Sequence, residues 1–212
     1  APGFLVTVGT GAICIGRDID GNSFRTGGLG HGEDGDIGSG YWLGKNLLMH
    51  LALNESSLSI DKDLSVFNNK LISKTESKDF TDAIEKITYS EHKVLMIASL
   101  AKTICEFAER GNDLALALIQ EATQGVAESI IELTREMKYK DDAIILTGNG
   151  SVVRNDNYRR CLDDALRFDF DKITWTFSSV SPAYGAGIIA SSLIDLDIDV
   201  KYIVKRGAIA PA

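Results

Sequence analysis

The sequence has few of the residues and runs that define secreted, metal-stapled or membrane proteins. It contains only three cysteines among 212 residues, and Cys14, Cys105 and Cys161 show no CxxC or Cys/His spacing, which argues against a disulfide framework and a zinc site. No apolar run reaches the ~18 residues that a membrane span needs. The N-terminus lacks the basic and apolar regions of a signal peptide. We therefore expect a protein of the reducing cytoplasm with no membrane partner.

Positive charge is also scarce. Lys and Arg number 22 against 30 Asp and Glu, which gives a formal net charge of -8. Because this balance repels a phosphate backbone and the basic residues form no run, nucleic acid is not an expected partner. The remaining composition, 44% hydrophobic and 25% charged residues, is that of a globular protein with one sizeable core.

The first residues of the chain predict β-strands. Ala1-Pro2-Gly3 carries no initiator Met, and the apolar run 4–8 follows immediately, so we expect sequence upstream of this chain. A turn at Gly9-Thr10-Gly11 leads to a second apolar run at 12–17, and another turn at 18–21 leads to a third strand. The pattern predicts a three-stranded antiparallel meander.

The rest of the chain alternates helical and strand patterns. Polar residues 55–92 carry weak helical patterns and resemble an inserted helical segment, whose role the sequence does not indicate. Outside that segment the order is three strands, three helices, then strand, helix, strand and helix. This order predicts an α/β domain of the ribonuclease-H-like, actin-like type, a mixed sheet with helices on both faces. The predicted helices are near 39–53, 94–108, 113–137, 156–168 and 184–194, and the two later strands are near 143–146 and 173–177.

The turn at 8–12 is the first candidate site. Its two glycines let the backbone approach a phosphate closely and present N–H groups beside the Thr10 hydroxyl. An ordinary tight hairpin turn explains the same residues. The turn alone therefore leaves both interpretations open.

The glycine-rich stretch 27–42 is the second candidate. Polar side chains lie among glycines just before a predicted helix, whose N-terminus would add N–H donors. A carboxylate such as Asp36 binds sugar hydroxyls well. The alternative is a flexible acidic surface loop in which Glu33 and Asp34 are solvated. His31 has no partner at metal-ligand spacing.

Two later segments complete the candidates. Residues 146–151 follow a predicted strand and precede a helix, the position where open α/β sheets bind ligands, although the full GxGxxG pattern is absent. An ordinary strand-to-helix loop is the alternative. Small residues at 181–187 favour close packing of the last helix, and Ala98 lies on the apolar stripe of its helix.

Together these segments resemble the family that holds N-acetylglucosamine kinase, archaeal broad-specificity hexokinase and the BadF/BadG-type ATPases. The resemblance covers most of the chain outside 55–92. Gly9-Thr10-Gly11 is similar to the family's second phosphate motif, and 27–42 to its GGxGH...GDxGSxYW sugar loop. Residues 146–151 resemble its adenosine motif, and 181–190 resemble its SPxxGAxxxA helix.

The resemblance implies an ATP- and Mg²⁺-dependent kinase acting on a small-molecule sugar, with its own N-terminal domain as a partner and a homodimer as the assembly. Seven residues would contact ATP: Gly9, Thr10, Gly11, Ala98, Gly148, Asn149 and Gly150. Four would contact the sugar: Gly28, Leu29, Gly30 and Asp36. No residue of this chain would bind a metal directly.

This sequence departs from the family pattern at two places within these motifs. Ile37 stands where the family has an acidic residue, and the loop is one residue longer, so Asp34 competes with Asp36 for the sugar. Asn149 stands between the two glycines of the adenosine motif. Both departures concern which side chain makes a contact and leave the order of the motifs intact.

A larger departure is an absence. Family members begin with a domain that carries a DGGGTKT-like first phosphate loop and an aspartate base, and nothing in these residues matches either. Since the acceptor hydroxyl must be aligned and lose its proton during phosphoryl transfer, we expect that this chain does not catalyse alone. It would be one half of a two-domain kinase.

Two other functions stay open at the level of the sequence. One is an ATPase that activates a redox partner, but such members hold an iron-sulfur cluster with cysteines, and the three cysteines here lie at unsuitable places. The other is a non-catalytic module for nucleotide binding or dimerisation.

Overall fold

The computed structural model describes residues 2–30, 32, 35–178, 182–194, 196 and 199. The chain divides into two compact units, Ala1–Trp175 and Thr176–Ala212. The predicted order of strands and helices is confirmed, except that two helices stand where one was predicted at 94–108. The elements are β1 (Gly3–Val8), β2 (Ala12–Arg17), β3 (Ser23–Gly27), α1 (Gly40–Leu53), a 3-10 turn (Glu55–Ser57), α2 (Lys62–Thr75), α3 (Phe80–Thr88), α4 (Lys93–Ala98), α5 (Leu100–Ala108), α6 (Asp113–Glu136), β4 (Ala143–Asn149), α7 (Asp156–Leu166), β5 (Lys172–Phe177) and α8 (Pro182–Leu193).

The five strands form one mixed sheet in the order β3-β2-β1-β4-β5. β1 pairs antiparallel with β2, which pairs antiparallel with β3. β1 pairs parallel with β4, with Phe4 opposite Leu146 and Thr7 opposite Asn149. Because β1 and β4 run in the same direction, the segments that follow them begin at the same edge of the sheet, the edge where α/β folds bind ligands.

The core lies between one face of this sheet and α6. Alternate residues of β1, namely Phe4, Val6 and Val8, are almost fully buried. The same face includes Thr26 of β3, whose hydroxyl donates to the Ser129 carbonyl of α6 at 2.8 Å. Burying an aliphatic or aromatic side chain of this size contributes about 1.5 to 3 kcal/mol, so this layer stabilises the fold.

The helix predicted from 94 to 108 is in fact two helices, α4 and α5, and this prediction was wrong. The helix is interrupted at Ser99. The carbonyl of Ser99 accepts a hydrogen bond from Lys74 Nζ at 3.0 Å. The Ser99 hydroxyl donates back to the Met96 carbonyl at 2.6 Å. Such side-chain bonds compete with the helical ladder. α1 packs against this region so closely that a Cβ on Gly44 would lie 2.0 Å from the Ile97 carbonyl oxygen.

The helical segment predicted at 55–92 is confirmed and is packed into the first unit. Asn112, the N-cap of α6, donates from Nδ2 to Asp63 Oδ1 of α2 at 2.9 Å. The rings of Phe67 and Phe107 meet edge to face with their centroids 4.8 Å apart. α2 therefore rests on the corner between α5 and α6.

Candidate functional site

A cleft of about 470 Å³ opens at the carboxyl edge of β1 and β4. Ligand pockets of small molecules and cofactors have volumes of this order. Its lining comes from the turn after β1, from α4 and α5, and from the segment after β4. The lining residues are Gly9, Thr10, Leu95, Ala98, Ser99, Ala101, Lys102, Cys105, Glu106, Glu109, Ser151, Val152 and Asn155.

The turn after β1, which lines this cleft at Gly9 and Thr10, has backbone donors without an acceptor in the described part of the chain. Its carbonyls are occupied: Gly9 O accepts from Gly40 N at 2.7 Å, and Thr10 O accepts from Tyr41 N at 3.1 Å. Within the described residues, no acceptor is bonded to the N–H group of Thr10 or Gly11. Two unused backbone donors in a glycine turn suit an anion such as a phosphate.

The N-terminus of α1 does not supply the donors that the sequence predicted for the glycine-rich loop, and that expectation was wrong. Gly40 and Tyr41 donate to the turn after β1, and Trp42 N donates to the Ser39 hydroxyl at 3.1 Å. The first turn of this helix is therefore already hydrogen bonded. Its role is to hold the β1–β2 turn in place.

The segment after β4 is fixed against the end of β1. Gly150 has a φ of +97°, and a Cβ there would lie 2.3 Å from the Val8 carbonyl oxygen. That oxygen also accepts hydrogen bonds from Val152 N at 3.1 Å and Val153 N at 3.3 Å. This close approach places the predicted adenosine segment directly beside the predicted phosphate turn.

The loop predicted from 147 begins later, which is a further correction. β4 continues to Asn149, with Gly148 opposite Val6, and Asn149 Nδ2 donates to Thr7 Oγ1 at 3.4 Å. The cleft is lined instead by residues immediately downstream, Ser151 among them. The contacts of Gly148, Asn149 and Gly150 with adenosine stay predictions.

Ala98 lies at the end of α4 and lines the cleft with Gly9 and Thr10. A Cβ on Gly40 would be 2.9 Å from the Gly9 carbonyl oxygen and 3.2 Å from that of Ala98. The glycine at the start of α1 thus lets the turn after β1 and the end of α4 approach each other. Three of the seven predicted nucleotide residues line one cleft, and their roles stay predictions.

Three charged residues of α5 and its C-cap, which the sequence analysis missed, also line the cleft. Lys102, Glu106 and Glu109 recur at i, i+4 and i+7, which places them on one face of the helix. Glu109 Oε1 accepts from Asn155 Nδ2 at 3.0 Å. The carboxylates can accept hydrogen bonds from ligand hydroxyls, and Lys102 can attract an anion. Their spacing was visible in the sequence, but any solvated helix face shows the same pattern.

Two of the cysteines have unreactive thiols. Burial raises the pKa of Cys14 to about 12. Burial, with the nearby Glu109 and Glu106 carboxylates, raises the pKa of Cys105 to about 12. Because the thiolate is the reactive form, neither side chain is a nucleophile at neutral pH. Cys105 lines the cleft as an apolar contact.

The glycine-rich loop begins and ends beside the β1–β2 turn. Gly28 N donates to the Ala12 carbonyl at 2.8 Å at the start of the loop. At its end, Gly40 N donates to the Gly9 carbonyl. Gly28 and Gly30 have φ values of +67° and +86°, a conformation that glycine adopts without strain. Leu29 is 77% exposed. The loop residues His31, Glu33 and Asp34 lie outside the described residues.

The second half of this loop is buried except at Ile37, and hydrogen bonds and packing fix it. Asp36 is only 7% exposed and has a φ of 54°. Next to it, the Gly38 carbonyl accepts a hydrogen bond from the buried Tyr158 hydroxyl at 2.8 Å. Ile37 packs against α6, where a Cβ on Gly125 would lie 2.2 Å from Ile37 Cγ2. Around Asp36 the chain is therefore not a solvated surface loop.

The described residues lack both a metal cluster and a membrane-spanning helix. No group of three or more His, Cys, Asp or Glu side chains there is arranged to hold a metal ion. None of the described helices is both long and apolar enough to cross a bilayer.

The sheet order, the parallel pairing of β1 with β4 and the cleft at their carboxyl ends define an α/β domain of the actin-like ATPase fold. Two solved structures share this fold, and both proteins are provisionally named N-acetylglucosamine kinases. The one from Chromobacterium violaceum has a TM-score of 0.59 and 22% identity, over 81% of this chain and 55% of that one. The one from Porphyromonas gingivalis has a TM-score of 0.61 and 17% identity, over 83% and 57%.

The chain belongs to the BadF/BadG/BcrA/BcrD ATPase family, whose model matches residues 1–190. It is 29% identical over 198 residues to an N-acetylmuramic acid/N-acetylglucosamine kinase of Clostridium acetobutylicum, covering 91% of this chain and 62% of that protein. It is 24% identical over 189 residues to an N-acetyl-D-glucosamine kinase of Dictyostelium discoideum, covering 89% and 59%. The chain thus spans about three fifths of the length of these curated relatives, and the family predicted from the motifs is confirmed.

Proposed function

We propose that this chain is part of a kinase that transfers the γ-phosphoryl group of ATP to a sugar hydroxyl. The observation that carries the proposal is the cleft that joins Gly9, Thr10 and Ala98 to Ser151 at one edge of the sheet, beside the loop that contains Asp36. The names of the curated relatives, both of which are amino-sugar kinases, support the same activity. The substrate would be a hexose, N-acetylglucosamine, glucosamine or a related sugar acid.

Different residues of the cleft would contact different parts of ATP. The free N–H groups of Thr10 and Gly11 would hold phosphate oxygens, and Ala98 would line the adenine pocket. Glu106 and Glu109 offer carboxylates for ribose hydroxyls. Mg²⁺ would accompany the nucleotide, because phosphoryl transfer needs a cation to neutralise charge on the phosphates. We assign no side chain of this chain to the metal.

The sugar would lie against the glycine-rich loop. Gly28, Leu29 and Gly30 would touch it, and Asp36 would accept hydrogen bonds from its hydroxyls, as a carboxylate does strongly. The buried position of Asp36 supports this role, because a carboxylate in a restricted environment forms stronger hydrogen bonds than one in water.

The acid-base part of the reaction belongs, in this proposal, to a further domain of the same protein. That domain would provide the first phosphate loop and the aspartate that takes the proton from the sugar hydroxyl. The cytoplasm and a homodimer stay predictions. The described ionisable groups of the cleft provide charge and hydrogen bonds, and we assign the base to none of them.

The two alternatives gain less support. An ATPase that activates a redox partner through a shared iron-sulfur cluster would need accessible thiolates, and Cys14 and Cys105 are only 3% and 6% exposed. A non-catalytic nucleotide module would use the same cleft without the sugar. The two enzyme proposals differ in whether sugar stimulates ADP release.

We expect no sugar-dependent ADP release from the purified 212-residue chain, because in this proposal the base and part of each site belong to a further domain. A coupled ADP assay with a panel of hexoses and amino sugars measures this. In the full-length protein the same assay should show release that depends on one or more sugars. Sugar-independent release by the full-length protein would favour the ATPase, and turnover by the chain alone would contradict the two-domain proposal.

A further inference from the structure

A second cavity lies between α2 and α5, beside the cleft. Its volume is about 270 Å³, and it is lined by Lys70, Ser73, Lys74, Lys102, Thr103 and Glu106. Three ammonium groups thus share one carboxylate, in a chain whose formal net charge is -8. Positive charge is concentrated here against the trend of the whole molecule.

The protein's own groups fix one of these lysines and neutralise the cluster only in part. Lys74 Nζ donates to the Ser99 carbonyl at 3.0 Å, which keeps it at the rim of the cavity. Burial and the charges of Lys70 and Lys102 lower the pKa of Lys74, while Glu106 opposes the shift. Lys102 Nζ is 4.0 Å from Glu106 Oε1, and the Lys102 side chain is 84% exposed. A loose, exposed pair of this kind offsets little of the repulsion.

We propose that this cavity is an anion site that takes a phosphate group. Lys70, Lys74 and Lys102 would surround the anion, and the Ser73 hydroxyl would add a donor. Lysine binds phosphate as a point charge, so three flexible lysines suit a ligand whose orientation varies. The phosphate could be inorganic or could belong to a phosphorylated sugar, since both carry the same dianionic group.

The site is coupled to the cleft by shared residues. Lys102 and Glu106 line both cavities, and Ser99, whose carbonyl holds Lys74, lines the cleft. A bound anion would compete with Glu106 for Lys102 and with the Ser99 carbonyl for Lys74. An anion in this cavity would therefore alter the charge and position of α5 at the cleft. The site itself needs neither phosphoryl transfer nor a sugar, so it stands apart from the proposed function.

Titration of the ¹⁵N-labelled chain with inorganic phosphate, at constant ionic strength, tests the proposal. We expect saturable amide shifts at 70–74 and 102–106. Lys70→Gln should raise the dissociation constant roughly three- to tenfold, the range for losing one partly screened charge contact. Lys62→Gln is the matched control, because Lys62 is an exposed lysine on the same helix outside the cavity; it should leave the dissociation constant unchanged.

Parallel titrations with glucose 6-phosphate and with ADP separate the sources of the phosphate. Tighter binding of glucose 6-phosphate than of phosphate supports the site and assigns it to a sugar phosphate, and equal binding supports a site for the free anion. Equal effects of Lys70→Gln and Lys62→Gln, or no saturable shifts, would overturn the proposal. Saturable shifts at 70–74 and 102–106 with ADP but not with phosphate would also overturn the proposal, because the cavity would then be an extension of the nucleotide cleft.

Discussion

Replacing Gly150 by alanine is expected to lower the free energy of unfolding by about 2 to 5 kcal/mol, the sum of a backbone term and a steric term. The backbone term arises because Gly150 has a φ of +97°, where a side chain is strained. The steric term arises because a Cβ would lie 2.3 Å from the Val8 carbonyl oxygen and 2.6 Å from its carbon. These are main-chain atoms at the end of the central strand β1, so no rotamer change relieves the contact.

Gly21→Ala is the control for the backbone term alone. Gly21 has a similar φ of +90°, but the nearest atom to its Cβ would be the end of the Arg17 side chain, at 3.4 Å. We expect a loss of about 1 to 2 kcal/mol there, the cost of the left-handed region for a residue with a side chain. Urea unfolding of both variants measures the difference. Equal losses would mean that the segment after β4 is not packed on the end of β1.

The second large effect is expected at Asp36. Asp36→Asn should raise the sugar KM of the full-length enzyme at least roughly tenfold, because a charge-assisted hydrogen bond is worth about 1.5 to 3 kcal/mol. Asparagine is preferable to alanine because Asp36 has a φ of 54°, and asparagine accepts the left-handed region. The substitution therefore removes the charge and leaves the backbone in place. Nucleotide binding should stay near normal.

Asp34→Asn is the discriminating variant, although Asp34 lies outside the described residues. We expect it to cost much less than Asp36→Asn in sugar-dependent kinetics, because Asp36 alone precedes the Gly38-Ser39-Gly40-Tyr41-Trp42 segment at the family's spacing. The reverse order would make Asp34 the sugar ligand and shift the alignment of the loop. If neither variant changes the sugar KM, the loop has no part in sugar binding.

Features set by neighbouring residues could be predicted from the sequence. The start of α1 and the start of α6 were predicted, and the structure has N-caps there: Ser39 accepts from Trp42 N, and Asn112 accepts from Ala115 N. Both bonds span three residues, so their signals are contained in a short stretch. The order of strands and helices followed from patterns of the same short range.

Features set by distant contacts could not be predicted. At the break between α4 and α5, the Ser99 carbonyl accepts a hydrogen bond from Lys74, 25 residues away. The extension of β4 depends on its pairing with β1, in which Asn149 meets Thr7 across 142 residues. The charged residues of α5 that line the cleft were missed for a related reason. Only the folded chain places Lys102 and Glu106 beside the turn after β1.

The central claim is that adenine nucleotide binds in the cleft at the carboxyl edge of β1 and β4, and an amide-shift titration with ADP and Mg²⁺ tests it most directly. We predict that millimolar ADP shifts the amides of Thr10, Gly11, Ala98 and Ser151 along one saturation curve, with weak affinity because the proposed further domain would supply the rest of the nucleotide site. If these four amides stay unmoved, or if the saturable shifts fall in another part of the chain, the account of this cleft is wrong.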